Sequence, residues 1–164
     1  MSGKGPFHGI RVIELASALA APGATAFLAD QGADVIKVEP PGMGDILRYM
    51  GASRNGVSNL FQHYSRGKRS LALNLKHPDG QAIVRRLAAD ADVLLHNFRP
   101  GVAERLGIGY ESLRKLRPEL VYVAVTGFGN EGPYAQKSAW DNVVQAFAGV
   151  AHSQADAETG EPTP

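Results

Sequence analysis

Residues 10–39 read IRVIELASALAAPGATAFLADQGADVIKVE and contain one complete strand–helix–strand pattern. Ile10–Leu15 and Asp34–Glu39 are short, largely apolar runs of the kind that buried parallel strands show. Between them, Pro22 suits the first turn of a helix, which we expect to end at Gly32. This order predicts a βαβ unit, in which the two strands are parallel neighbours.

The same alternation continues along the rest of the chain. Further strands are predicted at Ser70–Asn74, Val93–His96 and Leu120–Val125, and further helices at Pro78–Ala89, Gly109–Leu116 and Trp140–Phe147. Residues 42–67 are ambiguous, with Val57–Ser65 as the candidate helix, and the tail from His152 to Pro164 has no pattern. The fold class predicted is α/β: a mainly parallel, Rossmann-like sheet with helices on both faces. The inner strands are expected at Ile10–Leu15, Val35–Val38 and Val93–His96.

The composition excludes several classes of function. The chain has 164 residues, with 17 Lys and Arg against 16 Asp and Glu, so its net charge of +1 argues against nucleic acid or an anionic membrane surface as partner. It contains no cysteine, which excludes disulfides and a thiol nucleophile. The five histidines show no metal-ligand spacing, so no metal site is expected. No stretch resembles a signal peptide or a membrane helix, and we expect a cytoplasmic protein.

Polar residues follow the predicted strands at their carboxyl ends, where open parallel sheets bind ligands. Lys76, Asn97, Arg99 and Arg105 would share this rim. Several cations beside glycines and an aromatic ring suit a phosphorylated ligand that carries an aromatic base. Solvated surface charges are the alternative, and the residues alone leave both interpretations open.

Two further features invite a functional interpretation. Gly127–Gly132 reads GFGNEG and matches the dinucleotide-binding pattern, which would imply NAD. It follows the fifth strand instead of the first, however, and Pro133 stands where a helix should open, so a glycine-rich turn is favoured. Asp141 begins a predicted helix, where a carboxylate either stabilises the first turn or belongs to a site.

Taken in order, these motifs resemble the N-terminal part of class III CoA-transferases. This is the formyl-CoA and carnitine–CoA transferase type, which is related to the α-methylacyl-CoA racemases. The resemblance runs from Gly9 to about Pro164 and depends on GIRVIEL at 9–15, GADVIKVEP at 32–40, GD at 44–45, RGKRSLALNLK at 66–76, NFRPG at 97–101, RLG at 105–107, TGFG at 126–129 and GPY at 132–134.

The resemblance implies that CoA lies on this part of the protein as a substrate, with no tightly bound cofactor. By position, the nucleotide end would contact Leu73, Asn74 and Lys76. Asn97, Phe98 and Arg99 would border the nucleotide and pantetheine, with Arg105 near phosphate and Lys137 at a position that is basic in relatives. Family members often carry an arginine just after the second strand, where this chain has Pro40 and Pro41.

The resemblance also implies a covalent mechanism. An aspartate attacks the acyl-CoA donor, and a mixed anhydride and then an aspartyl-CoA thioester follow. That aspartate is expected beyond Pro164, which leaves Asp141 a supporting role. Trp140 replaces the histidine of the racemase branch and favours a transferase, since an indole does not exchange a proton with substrate. Glu14 and Glu39 are expected to face neighbouring groups or solvent, and Asp45 to have a structural or substrate-side role.

On this basis residues 1–164 are expected to form the N-terminal CoA-binding part of a large domain. The second domain, the C-terminal return segment and an interlocked homodimer would belong to a longer protein, and this chain alone would be inactive. The alternatives are a non-catalytic nucleotide-binding or CoA-binding fragment, a racemase-like enzyme and a fragment of an NAD-dependent dehydrogenase. The acyl donor and the acceptor acid are not specified by the sequence.

Overall fold

The computed structural model describes residues 5–162, which divide after Val125 into two units. In chain order the elements of the first unit are β1 (Arg11–Leu15), α1 (Ala20–Asp30), β2 (Asp34–Glu39), a 3₁₀ helix (Ile46–Tyr49), β3 (Ser53–Arg54), β4 (Val57–Ser58), α2 (Asn59–Ser65), β5 (Arg69–Ala72), α3 (Pro78–Ala89), β6 (Val93–His96), α4 (Val102–Arg105), α5 (Tyr110–Leu113) and β7 (Val121–Ala124). The second unit contains α6 (Asp141–Phe147) and α7 (Val150–Ser153).

The first unit is built on a five-stranded sheet in the order β5-β2-β1-β6-β7, and every neighbouring pair is parallel. The three inner strands are therefore β2, β1 and β6, as the sequence predicted. In the register between β1 and β2, Glu14 lies directly opposite Lys37. A charged pair thus lies side by side in two largely apolar inner strands.

Helices cover both faces of the sheet, which confirms the predicted fold class. On one face Ile13, Ile36 and Leu94 belong to a core that includes Val84 of α3 and Leu113 of α5. On the other face, Val12 and Val35 pack with Leu28 and Ala29 of α1. Alternate residues of each strand point to opposite faces, so a largely apolar strand fills both layers.

The ambiguous stretch 42–67 forms a short hairpin followed by a helix. Asn55 and Gly56 connect β3 and β4 with φ angles of 54° and 75°, as an Asn-Gly two-residue turn requires. The predicted helix at Val57–Ser65 begins only at Asn59, because the two preceding residues pair in the hairpin. Ser58 then caps the helix, since its Oγ accepts a hydrogen bond from Leu60 N at 3.1 Å.

Other boundaries also differ from the sequence prediction. Helix α1 begins at Ala20, so Pro22 is its third residue and still lies in the first turn. Strand β5 ends at Ala72 instead of Asn74, whose Oδ1 accepts a hydrogen bond from Lys76 N at 3.0 Å and forms a turn. Helix α5 is only four residues long, and α4 was not predicted.

The second unit is held by aromatic rings. The ring of Phe147 in α6 lies 5.5 Å from that of Phe128 and 5.0 Å from that of Tyr134. Helix α7 extends over His152 and Ser153, the first two residues of the tail that showed no pattern, and the last two residues of that tail lie outside the described part of the chain. Within residues 5–162, the helices lack the combination of length and apolar character that crossing a membrane requires.

Candidate functional site

The carboxyl ends of the five parallel strands lie along one edge of the sheet, and we call the loops that follow them the rim. One of these loops, Ala16–Leu19, joins β1 to α1 at the centre of this edge, and we call it the rim loop. Asn97, directly after β6, holds this loop in place: its Oδ1 accepts a hydrogen bond from Ser17 N at 3.1 Å, and its Nδ2 donates to Ser17 O at 2.7 Å. A predicted CoA residue is thus part of the rim's own structure.

A buried ionic network lies beneath the rim loop. Lys37 Nζ is 2.6 Å from Glu14 Oε1 and 2.7 Å from Asp45 Oδ2, and Lys68 Nζ is 2.7 Å from Glu14 Oε2. All four side chains are at most 2% exposed. Thr25 Oγ1 of α1 also donates a hydrogen bond to Glu14. Two carboxylates and two ammonium groups therefore balance each other in the interior.

The pKa of Lys68 reflects this setting. Burial lowers the pKa of its ammonium group, and the neighbouring Glu14 carboxylate opposes that shift. Lys68 Nζ also donates to the carbonyl oxygen of Pro22 at 2.7 Å. The ammonium group thus links a carboxylate in β1 to the first turn of α1.

Sequence reasoning missed this network. Glu14 and Glu39 were expected to face either neighbouring groups or solvent. Both face neighbouring groups, because both are buried and hydrogen-bonded. The expected structural role of Asp45 agrees with its geometry, since its Oδ1 accepts hydrogen bonds from Leu47 N at 2.9 Å and Ala18 N at 3.2 Å. The signal was a charged residue flanked by apolar residues in each of two adjacent strands, which indicates pairing across the sheet.

Glu39, at the end of β2, forms a second buried carboxylate site. Arg48 donates to both of its oxygens, Nε to Oε2 and Nη2 to Oε1, each at 2.8 Å. Asp45 N and Ser70 Oγ donate to it as well. Burial opposes ionisation of Glu39, but these hydrogen bonds outweigh burial and lower its pKa to about 2.

This site predicts a pH dependence of stability. The pKa of Glu39 is lowered from 4.5 to about 2. Its contribution to the stability of the fold is therefore fully present above pH 4.5 and is lost as the pH falls toward 2. That contribution to the free energy of unfolding is about 3 kcal/mol. The guanidinium carbon of Arg48 lies 3.8 Å from the centre of the Phe61 ring, and methionine in its place should retain contact with that ring. The Arg48→Met variant should therefore lose less stability than the parent as the pH falls.

Urea unfolding measured between about pH 6 and pH 2 tests this expectation. The Arg48→Met variant should be less stable than the parent at pH 6 and should approach it at pH 2. Parallel curves for the two proteins over the whole range would contradict the assignment of Glu39.

The structure places the first group of predicted CoA residues around the end of β5. Leu73 is buried in the core and donates its N–H to Glu39 O at 2.9 Å. Asn74 and Lys76 are exposed, and the Asn74 side chain closes the turn between them. Only Asn74 and Lys76 of these three therefore offer side chains at the surface.

The second group surrounds the end of β6. Phe98 is half-buried, and its ring stacks on that of His96 with centroids 5.2 Å apart. Burial lowers the pKa of His96, whose Nδ1 accepts a hydrogen bond from Phe98 N at 3.1 Å. Arg99 precedes the turn that opens α4, Arg105 is the last residue of α4, and both are exposed. These cations lie where a phosphate could reach them from solvent.

The remaining predicted residues belong to the second unit. Lys137 is exposed in the segment before α6, and Asp141 is the first residue of α6, with Trp140 as its N-cap. Asp141 accepts a hydrogen bond from Gln145 one turn later, which is the first-turn role that the sequence also suggested. After Gly132 the next helix begins only at Asp141, so the glycine-rich stretch does not open a helix as a dinucleotide fingerprint must.

A parallel sheet with polar residues gathered at its carboxyl edge defines the class of Rossmann-like α/β proteins, which bind their ligands at that edge. Within this class the chain belongs to CoA-transferase family III, whose sequence profile matches residues 7–164. The resemblance inferred from the motifs is therefore confirmed.

Individual relatives agree with the family. The chain is 47% identical to the acetyl-CoA:oxalate CoA-transferase of Acetobacter aceti over 90% of its length and 38% of the relative's. It is also 47% identical to the succinate–glutarate CoA-transferase of Agrobacterium fabrum over 97% of its length and 40% of the relative's. The chain thus spans about two fifths of the length of these relatives.

Solved structures show the same pattern. A CAIB/BAIF family protein from Brucella suis superposes with a TM-score of 0.91 at 38% identity, over 98% of this chain and 43% of that one. Rv3272 from M. tuberculosis superposes with a TM-score of 0.89 at 36% identity, over 97% of this chain and 44% of that one. Both of the curated relatives described above are named as CoA-transferases, in agreement with the family.

Proposed function

We propose that the protein takes part in the transfer of CoA from an acyl-CoA thioester to a carboxylic acid, and that this chain provides the CoA-binding part. The observation that carries the proposal is the family match over residues 7–164, together with relatives named as transferases between acyl-CoA and dicarboxylic acids. Residues 1–164 would be the N-terminal part of a large domain. The second domain, the return segment and an interlocked homodimer would belong to a longer protein.

The proposed reaction proceeds through an aspartyl-CoA intermediate. The carboxylate of the aspartate attacks the thioester carbonyl and expels CoA thiolate, which leaves a mixed anhydride. The thiolate then attacks the aspartyl carbonyl, so that the donor acid is released and aspartyl-CoA remains. The acceptor acid attacks aspartyl-CoA, and the expelled thiolate attacks the new anhydride to give the acceptor's CoA thioester and the free aspartate.

By the resemblance to the family, the attacking aspartate is proposed to lie beyond Pro164, and the acids nearest the rim are poor substitutes for it. Glu14 and Asp45 are paired with Lys37, and Glu39 is held by Arg48. A carboxylate whose oxygens are held in such pairs is a weaker nucleophile, since the cation withdraws its negative charge. Asp141 is exposed and is proposed to orient or tune the attacking group.

The CoA site is proposed to use Lys76, Arg99 and Arg105 for the phosphates, with Lys137 as a further basic contact. A charge-assisted phosphate contact contributes about 1.5–3 kcal/mol, so each alanine substitution should weaken CoA binding by about tenfold or more. We expect the variant with Lys76, Arg99 and Arg105 all replaced by alanine to lose measurable binding in isothermal titration calorimetry.

Arg69→Ala is the matched control for this experiment. Arg69 begins β5, at the edge of the sheet opposite the rim, and pairs there with Asp34 at 2.6 Å. It should bind CoA as the parent does. Unchanged affinity in the triple variant would contradict the site, and binding of NAD in place of CoA would favour the dehydrogenase alternative.

A further inference from the structure

The rim loop contains a strained residue. Ala18 has a φ of 64°, in the left-handed region that residues with a Cβ rarely adopt. Backbone strain of this kind persists where the surrounding structure over-determines it, and it is concentrated at functional sites. The groups that hold the rim loop in this conformation are therefore evidence for the role of the loop.

Three consecutive residues of the rim loop are each held by a side chain from a different part of the sheet. Ala16 O accepts a hydrogen bond from Lys37 Nζ at 2.8 Å. Ser17 exchanges two hydrogen bonds with Asn97, and Ala18 N donates to Asp45 Oδ1 at 3.2 Å. Anchors from β2, from the loop after β2 and from the end of β6 thus converge on one turn.

Two of these anchors are joined through the buried ionic network. Asp45 Oδ2 lies 2.7 Å from Lys37 Nζ, as an ion pair without a directed hydrogen bond. Lys37 is bound in turn to Glu14, and Glu14 to Lys68, whose ammonium group holds Pro22 O at the start of α1. A substitution of Lys37 or of Asp45 would therefore weaken the hydrogen bonds at both Ala16 and Ala18.

Stability alone does not account for such a network. Buried ion pairs are often no more stabilising than apolar side chains of the same volume, and their best-supported role is to specify one conformation. Here the network lies under the strained turn at Ala18, and it supplies two of the hydrogen bonds that hold the turn, those to Ala16 O and from Ala18 N. This placement indicates a role in fixing the rim loop.

We propose that Lys37 and Asp45 are positioning residues for CoA: through the buried network they hold the rim loop in its left-handed turn and so preorganise the rim for the coenzyme. This inference rests on the proposed function, because it takes CoA as the ligand of the rim. Neither residue touches the ligand. Both act through the backbone of Ala16 and Ala18, and a preorganised loop loses less conformational freedom on binding.

The test separates positioning from stability with a charge-balanced double variant. Lys37→Met combined with Asp45→Asn leaves the Glu14–Lys68 pair intact, so no unpaired buried charge remains. Ala16 O nevertheless loses its donor, and the link between the anchors is broken. We expect this folded variant to bind CoA about tenfold more weakly than the parent by calorimetry, while Arg69→Met binds as the parent does.

Adding Ala18→Gly to the double variant provides a rescue. Glycine adopts the left-handed conformation without strain, so the turn no longer needs the network, and most of the lost CoA affinity should return. Amide hydrogen exchange of Ala18 in the charge-balanced double variant is a second readout, and we expect it to be faster than in the parent by more than the difference in global stability accounts for.

The outcomes distinguish this inference from the function on which it rests. Parental CoA affinity in the double variant, with or without Ala18→Gly, overturns the positioning role while the CoA site stands. Reduced affinity that glycine does not restore also overturns it, since the defect then lies elsewhere. A parent chain that binds no CoA contradicts the proposed function and this inference together.

Discussion

The free energy of unfolding is expected to fall by about 3–5 kcal/mol when Lys37 is replaced by methionine. Lys37 is 2% exposed and lies between the carboxylates of Glu14 and Asp45. Methionine retains most of the side-chain volume but leaves the network one positive charge short. A buried carboxylate without its counter-charge must either stay ionised at high cost or take up a proton. Urea unfolding at neutral pH measures the loss.

Two variants identify the cause of this destabilisation. Arg69→Met also removes an ion pair between neighbouring strands, here β5 and β2, but at a site where the arginine side chain is 63% exposed, and it should cost less than about 1 kcal/mol. Adding Asp45→Asn to Lys37→Met restores the charge balance and should recover much of the lost stability. A Lys37→Met variant as stable as Arg69→Met would show that the network contributes little.

The second large effect concerns catalysis. We expect this chain to form no acyl-enzyme adduct with an acyl-CoA donor, whereas a chain that continues past Pro164 as its relatives do should form one. Removing the attacking group from a covalent mechanism lowers the rate by about 10⁴-fold or more. Intact-mass spectrometry after incubation with acetyl-CoA and with succinyl-CoA measures the adduct directly.

The position of any adduct decides between interpretations. An adduct on Asp141 of this chain would show that the attacking residue lies within residues 1–164. In the longer protein, replacing Asp141 with asparagine should slow adduct formation without abolishing it, because its proposed role is to orient or tune. An adduct-free longer protein that still binds CoA would favour the non-catalytic alternative.

The sheet was predictable because its strands are local, apolar and separated by helices. Val93–His96 agrees residue for residue with the prediction, and Asp34–Glu39 does too. The boundaries that failed depend on contacts that a local pattern does not contain. The predicted helix at Val57–Ser65 begins late because its first two residues pair in the β3–β4 hairpin. Strand β5 ends before its predicted last residue because the Asn74 side chain forms a turn with Lys76 N.

The site was less predictable because its groups come from distant parts of the sequence. Lys37, Asp45 and Asn97 reach the rim loop from separate elements, and no local spacing relates them. Charges within apolar strands signal burial, but only the register shows that Glu14 faces Lys37. The positive φ of Ala18 has no sequence signal at all, since alanine is not a residue that favours it.

The sheet order also has a consequence for how the chain folds. The central strand β1 pairs with β2, from which it is separated in sequence only by α1. It also pairs with β6, which is distant in sequence, since Val12 lies opposite Val93. Pairing over such a sequence separation is slow, because the long intervening loop must close before its contacts form. The segments that carry Glu14, Lys37, Asp45 and Lys68 all leave the ribosome before β6 does. The ionic network can therefore assemble first on the three strands β5, β2 and β1, and the arrival of Asn97 completes the rim loop last.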